Sequence, residues 1–394
     1  MNHDVVIVSA VRTAIGAFGG ALKNVSSGHL AAVVIEEAIR RANITPDLVE
    51  EVIMGEVRQS SESSNVARVG ALRAGIPEST PAFTVNRLCA SGMQAVVSGV
   101  QQIVFGQAEI IVAGGSENMS RSPIYLRNSR FGEGNPYLVD SLTENGQQPA
   151  ETYGSHLGMG ITAENVAELY RISREDQDAF AVESQLRADQ AIREGKFNNE
   201  IVPIKVNEKK HTIVFDKDEF PRPGTTMEAL SKLRPAFKEN GTVTAGNTCG
   251  RNDGAAAMVI MSENKAHNLG LKPLARILDW TAVGVSPKYM GIGPVPAIRK
   301  ILQRTGRPLS EIGLIELNEA FASQSLAVTR EAGLDMGKVN VNGGAIALGH
   351  PLGATGARIM TTLLYEMMRR GEPLGMATLC VGGGQGMAIM LELL

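Results

Sequence analysis

The chain of 394 residues is poor in aromatics, cysteine and net charge. Aromatics make up 4% of it, with one Trp, so the core has to be aliphatic, as in Ala/Val/Ile-rich α/β layers. A net charge of −3 offers no concentrated basic surface of the kind nucleic-acid binding needs. No apolar run reaches the roughly 20 residues of a membrane span. The opening MNHDVVIVSAVRTA is too short and too β-like for a signal peptide, and the closing MAIMLELL carries no lipidation or peroxisomal signal. The three cysteines, Cys89, Cys249 and Cys380, are too few for a disulfide framework, and none is spaced as a zinc-ligand pair. They point to a reducing, cytoplasmic setting, in which each is either buried filler or a reactive thiol.

Glycine, by contrast, is abundant at 43 residues and clustered, which suggests backbone held close to a ligand or in turns of positive φ. At roughly 150 residues per domain, two or three units are expected. Apolar runs at 4–10, 49–57, 109–115, 255–262, 274–285, 312–321, 338–344 and 376–384 read as strands. The stretch 29–42 has helical spacing, and 173–195 reads as a long helix with Ser173 as N-cap. The layout is α/β, with helices covering a mostly parallel sheet.

An internal duplication is visible. EEVIMGEV, SSNVAR, TVNRLCASG, a helix and EIIVAGGSENM follow one another in the first half. IGLIELNEAF, SLAVTR, VNVNGGAIALGH, a helix and MATLCVGGGQGM do so in the second. Arg68 and Cys89 are 21 positions apart, Arg330 and His350 20, so Cys89 and His350 fall at matching points between a strand and a helix. Two similar domains with a site at their interface are expected. Residues 121–248 have no counterpart and read as an insertion able to cover a substrate. The expected division is 1–120 plus 249–272, the insertion 121–248, and 273–394.

Four positions carry candidate chemistry. Cys89 precedes a long apolar helix, whose positive end favours thiolate; the other reading is a small buried hydrophobe. His350, in GGAIALGHPLGATGAR, is either a helix-capping histidine or a base for a thiol, and the duplication that pairs it with Cys89 favours the base. Cys380 precedes three glycines, whose bare N–H groups suit an oxyanion site. Asn318, in ELNEAF, either caps a helix or orients a water or an oxyanion.

The motifs VNRLCASGMQA, AGGSENMS, NEAF, GGAIALGHPLGATGAR and CVGGGQG, spread nearly end to end, resemble the thiolase family. Within it, the chain is most similar to the branch that works on acetyl-CoA and acetoacetyl-CoA. The resemblance implies a thiolase fold: two duplicated α/β halves in α/β/α/β/α layers with an inserted loop domain. It implies reversible Claisen condensation of two acetyl-CoA to acetoacetyl-CoA and coenzyme A through an acyl-Cys89 intermediate. Cys89 resembles the nucleophile and His350 its base and a ligand of the thioester oxygen. Cys380 resembles the second acid/base, whose working pKa local donors would have to supply. Asn318 resembles the holder of an oxyanion-hole water with His350, and the N–H groups of Cys89 and Gly382 resemble a second oxyanion hole.

For substrate binding, the resemblance implies Met290 and Phe321 as pocket residues. It implies His156, Met159, Arg222, Phe237, Ala245 and Cys249 as contacts of the acyl-CoA. No metal or bound cofactor is implied; coenzyme A thioesters are substrates. A homotetramer or dimer is implied, with 121–145 as a contact. A degradative 3-ketoacyl-CoA thiolase of broader chain length is the alternative, and a non-catalytic acyl-CoA or lipid-binding relative is the alternative of another class. The second thiol, Cys380, argues against a ketoacyl synthase. Two departures stand out. In HLGMGITAEN the family's histidine falls at Gly158, two residues after His156, and Cys249 stands where the family often has Ser.

Overall fold

The computed structural model describes residues 4–132, 134–207 and 212–394. The first half runs β1 (Val5–Thr13), α1 (Ser27–Ala42), β2 (Glu51–Gly55), α2 (Val66–Arg73), β3 (Ala82–Val85), α3 (Ser91–Val104) and β4 (Ile110–Asn118). An insertion follows, with α4 (Met159–Leu169) and α5 (Arg174–Arg193), before β5 (Asn252–Ser262) completes that half. The second half runs β6 (Ala275–Gly284), α6 (Pro294–Thr305), β7 (Leu314–Leu317), α7 (Ala322–Ala332), α8 (Leu352–Arg370), β8 (Leu374–Val381) and β9 (Gln385–Leu393).

The main strands lie in the order β7-β8-β9-β6-β1-β5-β4-β2-β3. Among the described residues, the sheet passes from one half to the other where Val6 and Ile7 pair with Arg276 and Ala275. Strand β1 is apolar on both sides because it is covered on both. Val6, Val8 and Val11 pack with α1 and α2, and Val5, Ile7 and Ala10 pack with α3 and α8. On the second half, α8 shares a core with Ala377, Leu379, Met387 and Ile389. Helices α6 and α7 cover the opposite face, against Ile315, Leu317, Met376 and Met390. Helices α3 and α8 are therefore the middle of five layers, α/β/α/β/α. Each fully buried aliphatic side chain in them contributes about 1.5–3 kcal/mol.

Glycine sets how closely the middle helices approach. A Cβ at Gly92 of α3 would lie 2.8 Å from the Gly353 carbonyl oxygen and 2.9 Å from the Ala357 nitrogen of α8. A Cβ at Gly356 would collide with the backbone of Met93.

Two sequence expectations change. The sheet is mixed: β2 pairs parallel with β3 and β4, and β7 with β8, while the strands between them pair antiparallel. Gly382–Gly384 close β8 onto β9 as a short hairpin, which needs no crossover helix. Gly383 and Gly384 have φ of 75° and 85°, accessible to glycine at little cost. The expected strand at 338–344 is reduced to a single bridge between Val339 and Ile315. Asn340 explains this in part. It stands at φ 45°, and its side chain bonds the backbone of Leu317 in place of a ladder. The long helix does start on Ser173, whose hydroxyl accepts from the Asp176 N–H.

Candidate active site

Cys89 sits on a tight turn between β3 and α3. Leu88 has φ 47°, unusual for a branched residue. Local bonds hold it there: Asn86 Oδ1 accepts from the Leu88 N–H at 2.9 Å, and Ser91 Oγ donates to the Leu88 carbonyl at 2.6 Å. The N–H groups of Gly382 and of Cys89 itself face the sulfur. These donors and the helix end favour thiolate, yet burial outweighs them and pushes the thiol up. The expected pull of the helix end toward thiolate is thus opposed by burial, and at rest the proton is held more tightly than on a free thiol.

His350 reaches the same space from the other half. Gly349, at φ 101°, turns the chain, and Asn252 Oδ1 accepts from the His350 N–H at 3.0 Å. Burial and the nearby Arg358 lower the imidazole to about 3, so it is neutral at ordinary pH. Its tautomer follows from hydrogen-bond arithmetic. The Thr355 hydroxyl has one proton, donated to the Pro351 carbonyl at 2.9 Å. His350 Nδ1, 2.7 Å from the same hydroxyl oxygen, must then be the donor in that contact. Nε2 is left with a lone pair, and it is buried with no partner among the described residues.

Cys380 ends β8 inside a small apolar cluster of Ala163, Val243, Met290, Ala320 and Phe321. Burial, then the neighbouring thiols, push it well above its ordinary value. Its own backbone N–H is the donor that opposes this, and burial outweighs it. Cys249 is anchored to the NEAF segment, its N–H donating to the Ala320 carbonyl at 3.1 Å. Burial raises it to about 12, so it stays protonated, a poor nucleophile, at neutral pH.

One cavity of about 450 Å³ gathers Cys89, His350, Cys380, Gly382, His156, Met159, Phe237, Cys249, Met290 and Phe321. Phe237 meets Phe321 edge-on at 6.3 Å between ring centroids. His156 lines the cavity despite standing two residues early, and so does Gly158. The insertion supplies much of the wall, including Leu142, Asn145 and Gln147. Asn318 lies outside the wall, buried, with Nδ2 and Oδ1 unpartnered among the described residues. Arg222 and Ala245 are exposed and outside the wall; the Arg222 guanidinium rests 5.5 Å from the Phe220 ring centroid.

Sequence reasoning missed three residues. Thr355 could have been found as a hydroxyl five positions after His350 in the first turn of a helix. Arg58 could have been found as a cation just past an apolar strand. Leu88 gave no signal, because its strain exists only in the folded turn. Among the described residues, no group of His, Cys, Asp or Glu is placed to hold a metal ion, and no helix is long and apolar enough to cross a membrane.

Paired thiols and a neutral imidazole at the seam of a duplicated five-layer fold define a class of acyl-transfer protein, and the chain belongs to it: this is a member of the thiolase family. Residues 5–264 match the model "Thiolase, N-terminal domain" and 271–393 match "Thiolase, C-terminal domain". The chain is 51% identical to the acetyl-CoA acetyltransferase of Syntrophomonas wolfei, over all of both chains. It is similar to the crystal structure of the Bacillus anthracis acetyl-CoA acetyltransferase at TM-score 0.97 and 49% identity, covering 100% of this chain and 99% of that one. It is also similar to human mitochondrial 3-ketoacyl-CoA thiolase in complex with CoA, at TM-score 0.94 and 45% identity, covering 100% and 98%.

Proposed function

We propose that the chain is an acetyl-CoA acetyltransferase, condensing two acetyl-CoA to acetoacetyl-CoA and coenzyme A and running the reverse. The observation that carries this reading is the single cavity shared by Cys89, His350, Cys380 and Gly382.

Cys89 gives its proton to His350 Nε2 and attacks the thioester carbonyl, whose oxyanion the N–H groups of Cys89 and Gly382 receive. The departing coenzyme A thiolate takes the Cys380 proton. This is where the high resting pKa of Cys380 helps, because the thiolate left behind is a strong base. It removes the α-proton of the second acetyl-CoA. His350, now carrying the Cys89 proton on Nε2, donates to the enolate oxygen. A water held by Asn318, whose buried amide has no protein partner among the described residues, completes that site. The carbanion attacks acetyl-Cys89, the carbon–carbon bond forms, and Cys89 leaves with its proton returned from His350. Every group ends as it began.

On this reading no metal or organic cofactor takes part, and coenzyme A thioesters are the partners. His156, Met159, Phe237, Cys249, Met290 and Phe321 contact the acyl-CoA inside the cavity, and Arg222 and Ala245 contact it outside. We place the protein in the cytoplasm as a homotetramer or dimer. Apolar Ile124, Leu126, Tyr137 and Leu138, exposed on the hairpin of 124–127 and 137–140, support 121–145 as a contact. The proposed units are 1–120 with 249–272, 121–248, and 273–394. A 3-ketoacyl-CoA thiolase of broader chain length is the second reading, supported by the likeness to the human mitochondrial protein.

Intact-mass detection of acetyl-Cys89 after mixing with acetyl-CoA tests the mechanism, with an adduct expected; none, even with Cys380→Ser, overturns it. Thiolysis rates over a chain-length series separate the two readings: faster turnover of long chains than of acetoacetyl-CoA sinks the acetyl-specific one.

A further inference from the structure

Arg58 lies in the wall of the catalytic cavity. Its backbone is fixed beside the nucleophile. The Arg58 N–H donates to Glu117 Oε1 at 2.9 Å, and the Val57 carbonyl accepts from Asn86 Nδ2, at the foot of the Cys89 turn, at 3.2 Å. The positive charge is close enough to favour ionisation of both Cys89 and Glu117.

Among the described residues the guanidinium nevertheless makes no salt bridge. Its Nε is buried with no hydrogen-bond partner among the described residues. Glu117 is committed elsewhere, its two oxygens accepting from the N–H groups of Val57, Arg58 and Gly353. Glu56 is pushed up to about 8 by burial and by Glu117, and so is mostly neutral at neutral pH. A half-buried cation that shares the cavity wall with apolar Leu88, Met119, Leu142 and Leu352, its Nε without a partner among the described residues, gains from a ligand that supplies an anion. An arginine fork suits a carboxylate in particular, which it can grip with two parallel hydrogen bonds. The phosphates of coenzyme A have a different cation at hand: Arg251, which is exposed at the cavity wall.

We propose that Arg58 is a receptor for a carboxylate at the far end of the acyl chain, so that the enzyme also cleaves 3-ketoacyl-CoA thioesters whose acyl tail ends in a carboxylate. This rests on the acyl-Cys89 chemistry above. Cys89 attacks the 3-keto carbon, its proton passing to His350. The bond between C2 and C3 breaks, and acetyl-CoA leaves with the Cys380 proton. The carboxylate-ended acyl group stays on Cys89 beside Arg58. Coenzyme A then returns a proton to Cys380 and takes the acyl group, and His350 reprotonates Cys89.

The test compares thiolysis of carboxylate-ended and methyl-ended 3-ketoacyl-CoA, matched in length over a short series, by the full chain and by Arg58→Met and Arg58→Lys. The wild type should favour the carboxylate at one or more lengths. Arg58→Met should lower the carboxylate-to-methyl ratio of kcat/KM by roughly 10–100-fold, the loss of one charge-assisted contact, whatever it does to either rate alone. Arg58→Lys should recover part of the ratio. No carboxylate preference at any length overturns the proposal. So does an unmoved ratio in Arg58→Met, accompanied by a rise in the pH at which Cys89 is alkylated, which would make Arg58 an aid to the nucleophile alone. Absence of acetoacetyl-CoA thiolysis and of any Cys89 adduct in the wild type is a separate outcome. It removes the acyltransferase reading, and this inference with it.

Discussion

The two halves follow the same course but for one strand, and share an irregularity: β1 slips register against β5 between Ile7 and Ser9, and β6 slips against β9 between Ile277 and Asp279. They differ where chemistry is done. The first half has a true strand β3 before the Cys89 turn; the second replaces it with the Val339 bridge and a glycine loop that brings in His350. The first half carries the long insertion that walls the cavity, while the second goes from β8 to β9 through three glycines. A duplicated scaffold brings two helix N-termini to one seam, and on the proposed mechanism asymmetry in the loops makes one a nucleophile and the other its base.

That division of labour can be broken most severely at the thiols. Cys89→Ala should reduce turnover roughly 10⁴-fold or more and abolish the acetyl adduct. Cys380→Ser should leave Cys89 acylation detectable while condensation falls roughly 10²–10⁴-fold, since in the first stage it removes only the acid that protonates the departing coenzyme A, and in the second it removes the base that makes the carbanion. Equal loss of adduct and condensation in Cys380→Ser would show that the two halves do not divide the steps in this way.

The base can be probed through its partner. Thr355→Val should lower kcat roughly 10–100-fold, the usual scale for losing a partner that fixes a ring tautomer, with Thr355→Ser retaining most activity. Full activity in Thr355→Val would sink the tautomer assignment.

The packing of the two halves is next in size. Gly92→Ala and Gly356→Ala should each destabilise the fold by about 1–3 kcal/mol through overpacking of α3 on α8, measured by denaturant titration. Unchanged midpoints would mean the helices can separate freely.

The smallest effects are in pH. Glu56, pushed up to about 8 from an ordinary 4.5, favours its neutral form in the fold. The stability it contributes is full below 4.5 and lost as pH rises through 8. Glu56→Gln should flatten the fall in stability between pH 4.5 and about 8. His350 runs the other way: lowered to about 3, its contribution is present above 6.5 and lost as pH falls toward 3.

Much of this was legible beforehand. The near-equal spacings from Arg68 to Cys89 and from Arg330 to His350 mark the duplication because a repeated fold needs repeated element lengths. The long helix was legible from Ser173 and its acidic first turn, since capping is local. The direction of strand pairing was not, because apolar runs look alike whether a neighbour runs parallel or antiparallel. Nor was the missing strand at 338–344, where Asn340 takes the hydrogen bonds a ladder would have used.

The sequence by itself determined which groups could react: two thiols, an imidazole and glycine turns, in an order that repeats. Only the tertiary structure decided their resting states. The helix end behind Cys89 is a local feature, visible as a turn before an apolar helix. Burial is a sum over atoms from distant segments, Gln147 and Met159 of the insertion among them, and no stretch of sequence contains it. That sum outweighs the helix end, keeps Cys89 and Cys380 protonated, and leaves His350 neutral with Nε2 free to take the proton.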